Sequence, residues 1–155
     1  MTDLSELVAA SAVLHRVRAA SKSDLLLLMA EAAATAYNVP VAAVFEGALE
    51  RERLGGTGVD DGVAVPHARL KDLDRPRAVI ALLDTPQDFH APDGRPSDIV
   101  CLLLSPEDAG ADHLKALATI SRMLRRPELR ASIRASRSAA ALFAIVSQSE
   151  PSKAA

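Results

Sequence analysis

The sequence predicts a single α/β domain with a largely buried sheet, and three observations lead there. At 155 residues the chain is one ordinary domain long. Two stretches, Arg77 to Asp84 (RAVIALLD) and Asp98 to Leu104 (DIVCLLL), are nearly continuous apolar runs of strand length. Such runs suit strands covered on both faces rather than on one. Other segments carry apolar residues at spacings of three and four, the signature of helices that could supply that cover.

Taken in order, residues 12 to 19 (AVLHRVRA) are short and rich in Val and Leu, and read as a first strand with Val13, His15 and Val17 on one face. Ser21-Lys22-Ser23 offers capping hydroxyls ahead of a helix from Asp24 to Tyr37, which Asn38-Val39-Pro40 ends. Pro40 is tolerated in the first turn of a second helix reaching Arg53, with Val41, Val44, Phe45, Ala48 and Leu49 at helical spacing. Leu54 to Asp61 (LGGTGVDD) holds three glycines in four positions and reads as a loop. Gly62 to Val65 is a short strand stopped by Pro66, and the two fuller strands follow, joined by residues 85 to 97 with a Pro-Asp-Gly turn. Ala111 to Arg126 reads as a helix with Leu114, Leu117, Ile120 and Leu124 on its inner stripe. Pro127 opens another helical turn, Ser138 to Ser147 a last helix, and the C-terminal residues 147–155 are expected to be disordered.

Composition narrows the function by exclusion. Apolar residues make up 49% and charged residues 25%, ordinary for a soluble domain. Aromatics are only 3%, so little surface exists for stacking bases or sugar rings. The net charge of -2 provides no general attraction for nucleic acid. Cys101 stands alone inside an apolar run and can form neither an internal disulfide nor a zinc knuckle. The acidic N-terminus MTDLSELVAA lacks the basic and apolar regions of a signal peptide, and no apolar run approaches a membrane span. A cytoplasmic protein with no direct membrane insertion is expected.

Four histidines are candidates for chemistry. His15 alternates with valines and His90 lies in a Pro-rich connection, so both read as ordinary. His67 has a distinctive setting, since it ends a short apolar strand, follows a proline and comes after a glycine-rich loop. Pro66 stiffens the backbone that presents the imidazole, and the glycines allow backbone N–H groups to approach an anion. The loop matches neither a Walker loop nor a dinucleotide fingerprint.

The segment from Arg51 to Leu70, RERLGGTGVDDGVAVPHARL, resembles the signature of phosphotransferase-system IIA domains of type 2, the fructose–mannitol family, which includes nitrogen-regulatory IIA proteins. Two further stretches agree, DFHAPDGRPSDIVCLLLSP (Asp88 to Pro106) and HLKALATISRMLRR (His113 to Arg126). The resemblance covers residues 4–146 and implies a mixed β-sheet flanked by helices. It implies a phosphotransferase component in which His67 accepts a phosphoryl group at its tele nitrogen from an HPr-type phosphocarrier protein. His67 would then pass the group to a IIB domain, or hold it as a signal to a regulatory target protein. No cofactor is implied. The family's second active-site histidine maps to His113.

These residue types suit the role. Imidazole is nucleophilic near neutral pH and is also a competent leaving group. Phosphoryl transfer asks the protein mainly for positioning and for stabilisation of charge on the equatorial oxygens. His113 falls in the first turn of its helix, with Asp112 as N-cap, where the helix dipole favours a neutral imidazole able to donate to a phosphoryl oxygen. Arg51 is a candidate phosphate partner, or else part of a solvated helix end. Thr57 either orients an imidazole or caps a backbone N–H. Asp93-Gly94 forms a turn that the resemblance puts near the site. Asp60 stands where the family commonly has glycine, and its carboxylate is expected to point away from a phosphoryl group. A purely regulatory module is the competing reading. A metal site from His67 and His113 lacks the short ligand spacing of zinc motifs, and no nucleophile-elbow sequence supports hydrolysis.

Overall fold

The structure is a computed structural model that describes residues 4–148. A short helix not anticipated from the sequence, α1 (Leu4–Leu7), leads directly into β1 (Val8–Val17), which begins four residues before the expected start. In α1 both Leu4 and Leu7 are buried. Helix α2 (Lys22–Tyr37) is capped by the Ser21 side chain, which accepts from the Asp24 N–H, and ends at Asn38 in the left-handed region at φ 58°. Asparagine tolerates that conformation better than most residues. Helix α3 (Val41–Leu54) follows from Pro40.

The glycine loop is more structured than its composition suggests. It contains β2 (Gly58–Val59) and a 3-10 turn at Asp60–Gly62, and then passes into β3 (Val63–Ala64). Beyond Pro66 the chain resumes as β4 (His67–Leu70), so His67 opens a strand rather than ending one. Both β3 and β4 run parallel to β6 (Ser97–Pro106) in one unbroken register, Val63 facing Ile99 and His67 facing Leu103. The interruption between them is Val65–Pro66, where proline has no N–H to give the ladder. The Pro66 carbonyl still accepts from Leu103 at 2.9 Å.

The long strands β5 (Arg77–Gln87) and β6 pair antiparallel at the sheet centre, and β1 adds parallel to β5. The strand order is β1-β5-β6-β3-β2, with β4 on β6, a mixed six-stranded sheet. Consecutive residues of β6 from Ile99 onward are all buried, so both faces of the sheet are covered. Helices α2 and α3 pack together against β1, β5 and β4. Helices α1, α4 (Gly110–Leu124), α5 (Pro127–Ala135) and α6 (Ala139–Ser147) form the second group, on β1 and β6.

Two details of α4 differ from the expectation. Its N-cap is Ala109 without a side-chain bond, and Asp112 lies inside the first turn. Its buried stripe is His113, Ala116, Ile120, Met123 and Leu124, which leaves Leu114 65% exposed. The two stripes share Ile120 and Leu124, so apolar spacing alone could not choose between them, and the inward-facing first-turn position belongs to a histidine. At the far end, Ser147 closes α6 and Gln148 is its C-cap. Of the tail expected to be disordered, residues 149–155 lie outside the described residues.

Candidate functional site

The four histidines occupy different environments. His15 Nε2 is 2.9 Å from the Ser136 carbonyl, a link between β1 and the end of α5. His90 is exposed beside Asp88. His67 and His113 come together instead, their ring centroids 5.4 Å apart at an interplanar angle of 62°. The parallel pairing of β4 with β6 places His67 beside the strand that runs into α4, and α4 turns His113 back over it.

The partners of His67 fix its protonation. Nδ1 is 2.9 Å from the Val65 carbonyl, which can only accept, so Nδ1 carries the hydrogen. Nε2 accepts from Arg51 Nε at 3.1 Å and therefore holds the lone pair. The half-buried ring is a neutral imidazole with its tele nitrogen as the base. Burial pushes its pKa below the usual value, and Arg51 and Arg69 act in the same direction. The Val65 bond and the Glu52 carboxylate oppose them.

His113 is 7% exposed, and its Nδ1 lies 2.6 Å from Ser105 Oγ. Burial again lowers its pKa, assisted by Arg69 and His67. Arg51 is anchored a second time by Nη1 donating to the Gly55 carbonyl at 2.7 Å. These groups face an open cleft of about 390 Å³ bounded by Arg51, Leu54, Arg69 and His113.

The other expected site residues lie apart from the imidazole pair. Thr57 is buried, and its hydroxyl and N–H both donate to Glu52, at 2.6 and 3.0 Å, rather than to a histidine. Asp93 accepts from the Asp61 N–H and so ties the Pro-Asp-Gly turn to the 3-10 turn. Asp61 has a positive φ of 69°, and its carboxylate lies 3.6 Å from Arg130. Asp60 is exposed beside Arg125 and Arg130 in a separate groove on the α4–α5 side. Among the described residues no group of three or more His, Cys, Asp or Glu side chains is placed to hold a metal ion.

Two contributors were not foreseen. Arg69 sits two residues past His67 on β4 and acts on both imidazoles. Period-two alternation would have put Arg69 on the His67 side of the strand. Glu52 gives no comparable signal, because its burial depends on Lys22 and Thr57 reaching it from other segments.

Comparison with known proteins identifies the family and the fold. The family described as phosphoenolpyruvate-dependent sugar phosphotransferase system, EIIA 2, matches residues 6–149. The chain belongs to the EIIA 2 family. A nitrogen regulatory protein of Bradyrhizobium diazoefficiens is 46% identical over 143 residues, covering 92% of this chain and 94% of that one. The nitrogen regulatory protein IIA-Ntr of Neisseria meningitidis superposes with a TM-score of 0.83 at 30% identity, covering 92% of this chain and 97% of that one. The fold also matches that of the complex of enzyme IIAMTL and phosphorylated enzyme IIBMTL from Escherichia coli, with a TM-score of 0.76 at 16% identity, covering 92% and 99%. The EIIA 2 fold is thus the mixed sheet and helices described above. In this EIIA 2 chain no helix among the described residues is long and apolar enough to cross a membrane.

Proposed function

We propose that this chain is a IIA phosphocarrier of the nitrogen-regulatory type, with its domain at residues 4–146, in which Nε2 of His67 accepts the phosphoryl group. The observation that carries this reading is the neutral His67 ring, with its hydrogen held on Nδ1 by the Val65 carbonyl and its lone pair on Nε2 at the cleft. The lone pair attacks the phosphorus of a phosphorylated HPr-type carrier. The new N–P bond forms as the donor's bond to phosphorus breaks, and the electron pair leaves on the donor. Arg51 Nε gives up its bond to Nε2, and the guanidinium moves onto the phosphoryl oxygens. His113 Nδ1 lies 2.6 Å from Ser105 Oγ; in this role the hydroxyl donates to Nδ1, leaving the His113 hydrogen on Nε2 as a further donor to those oxygens. Arg69 adds a second favourable charge at the rim of the cleft.

The exposed Leu54 beside these cations gives a carrier protein an apolar contact around the transfer point. Onward transfer goes to a IIB domain, such as the partner in the mannitol complex, or the phosphorylated form is itself the signal read by a target protein. The names of the nitrogen regulatory relatives favour the regulatory output.

Incubation with phosphoenolpyruvate, enzyme I and HPr, or a nitrogen-branch carrier, tests the site. Acid-labile phosphate is expected on the wild type and absent from His67→Ala, while His113→Ala retains slowed labelling. Wild-type labelling of His67→Ala would remove the assignment, and loss confined to His113→Ala would reverse the two roles.

A further inference from the structure

Glu52 is a carboxylate only 6% exposed, on the residue next to Arg51. Where Arg51 reaches the cleft, Glu52 turns inward. Its Oε1 accepts the Thr57 hydroxyl at 2.6 Å, and its Oε2 accepts the Thr57 N–H at 3.0 Å. Lys22 Nζ lies 3.3 Å from the same Oε2 and 5.1 Å from the ring centroid of the buried Phe89. A buried carboxylate is costly unless paired and hydrogen-bonded, and here it gathers α2, α3 and the glycine loop.

The bonds continue beyond Thr57. Its carbonyl accepts the Val65 N–H at 3.0 Å, and the Val65 carbonyl accepts Nδ1–H of His67 at 2.9 Å. The next residue, Pro66, fixes its own φ and is tied to β6 through its carbonyl. The Val65 carbonyl is therefore restrained from both directions, from one side by β6 and from the other through Thr57 by Glu52.

We propose that Glu52 is a positioning residue for His67: it holds Thr57, Thr57 holds Val65, and the Val65 carbonyl holds the His67 hydrogen on Nδ1 so that Nε2 is presented to the cleft. The inference rests on His67 being the phosphoryl acceptor. A residue that only stapled the loop would contribute to stability without affecting which ring nitrogen carries the hydrogen.

The test compares ¹⁵N NMR ring shifts of His67 in the free protein with the rate of phosphoryl uptake from phosphorylated HPr. Glu52→Gln keeps both attachments, because its amide oxygen accepts the Thr57 N–H and its NH₂ donates to the Thr57 hydroxyl. It is expected to keep the single Nδ1–H tautomer. Glu52→Leu removes both attachments and is expected to give a mixture of tautomers and uptake slower by about tenfold. Thr57→Val deletes only the hydroxyl, is expected to show a smaller change in the same direction, and replaces Glu52→Leu if that variant does not fold. Wild-type ring shifts in folded Glu52→Leu, or in Thr57→Val should it be needed, would overturn the proposal, as would mixed tautomers with wild-type uptake. The ring shifts need no phosphoryl donor, so this result is separable from the labelling of His67→Ala.

Discussion

At the residue scale, the His67 imidazole is held between a group that can only accept and one that can only donate. The Val65 carbonyl takes the Nδ1 hydrogen, and the Arg51 guanidinium donates to Nε2. Arg51 therefore acts twice, lowering the proton affinity of the ring at rest and, in the proposed transfer, meeting the phosphoryl oxygens. Its removal has opposite effects on the two. In Arg51→Ala the guanidinium charge no longer disfavours imidazolium, so the His67 pKa rises, as an NMR titration would read. Phosphoryl uptake falls by about a hundredfold, the usual cost of losing one preorganised charge donor. A fall or no change in the His67 pKa would contradict the assigned Arg51 contact. Ser105→Ala provides the matching test on the second ring. Loss of the 2.6 Å partner frees the His113 tautomer and slows uptake less than Arg51→Ala does. His67 was singled out in the sequence by its setting after the glycine loop and Pro66, His113 through the family resemblance, and Arg51 was left open between a phosphate partner and a solvated helix end. Glu52, Ser105 and the true partner of Thr57 were not legible there, because each acts through a side chain that only the tertiary fold brings near.

At the element scale, the glycine loop carries the geometry. Gly58 N–H donates to the Phe89 carbonyl at 2.9 Å, which clamps the loop against the connection after β5. A Cβ on Gly56 would lie 2.2 Å from the Phe89 carbonyl oxygen and 2.6 Å from His90 Cβ, so glycine is required there by close approach. Gly56→Ala is expected to cost about 1–3 kcal/mol of stability, the range for overpacking a fitted site, and to slow uptake by displacing Thr57. Gly110→Ala, where a Cβ would meet nothing within 4 Å, serves as the contrast. It should leave stability unchanged or raise it by about 0.4–1 kcal/mol. Chemical denaturation reads both, and a Gly56→Ala protein as stable as wild type would show that the loop does not need its close approach to Phe89. Most element positions could be read from apolar spacing, with the long strands and α2, α3, α4 and α6 located within a few residues, while α5 was read only as a turn opened by Pro127. The division of one strand path into β3 and β4 could not. Pro66 signals a stop, but only the shared register against β6 shows that the chain resumes in line and makes His67 a strand residue.

At the scale of the whole molecule, the sequence pattern foretold a sheet covered on both faces, and its strand order came only with the fold. That order follows from which strands find partners far along the chain, such as β1 beside β5, and local spacing carries no such information. One consequence of the closed architecture is a dependence of stability on pH. The sheet and α4 bring His67 and His113 together, half-buried and buried, with Arg51 and Arg69 beside them. Burial, the largest cause for both rings, and these charges favour the neutral form in the folded protein. In the unfolded chain each ring would titrate near its ordinary value of about 6.5. The unfolded state therefore binds more protons than the folded state as the pH falls through that region, and stability declines with it. Above about pH 7.5 both rings are neutral in both states and the penalty is absent. It grows as the pH drops below about 6.5 and levels off once the folded rings also protonate. Thermal unfolding at about pH 7.5 and about pH 5.5 should give a lower Tm at the acidic end, and the drop should shrink in the His67→Ala, His113→Ala double variant. An equal drop in the double variant would assign the acid sensitivity to other groups and contradict the environment described for the pair. Phosphorylation would change the same balance, since a phosphoryl group on Nε2 places negative charge where Arg51 and Arg69 already meet. The phosphorylated protein is accordingly expected to unfold at a higher temperature than the unmodified form, and a lower Tm would contradict the proposed role of those two cations.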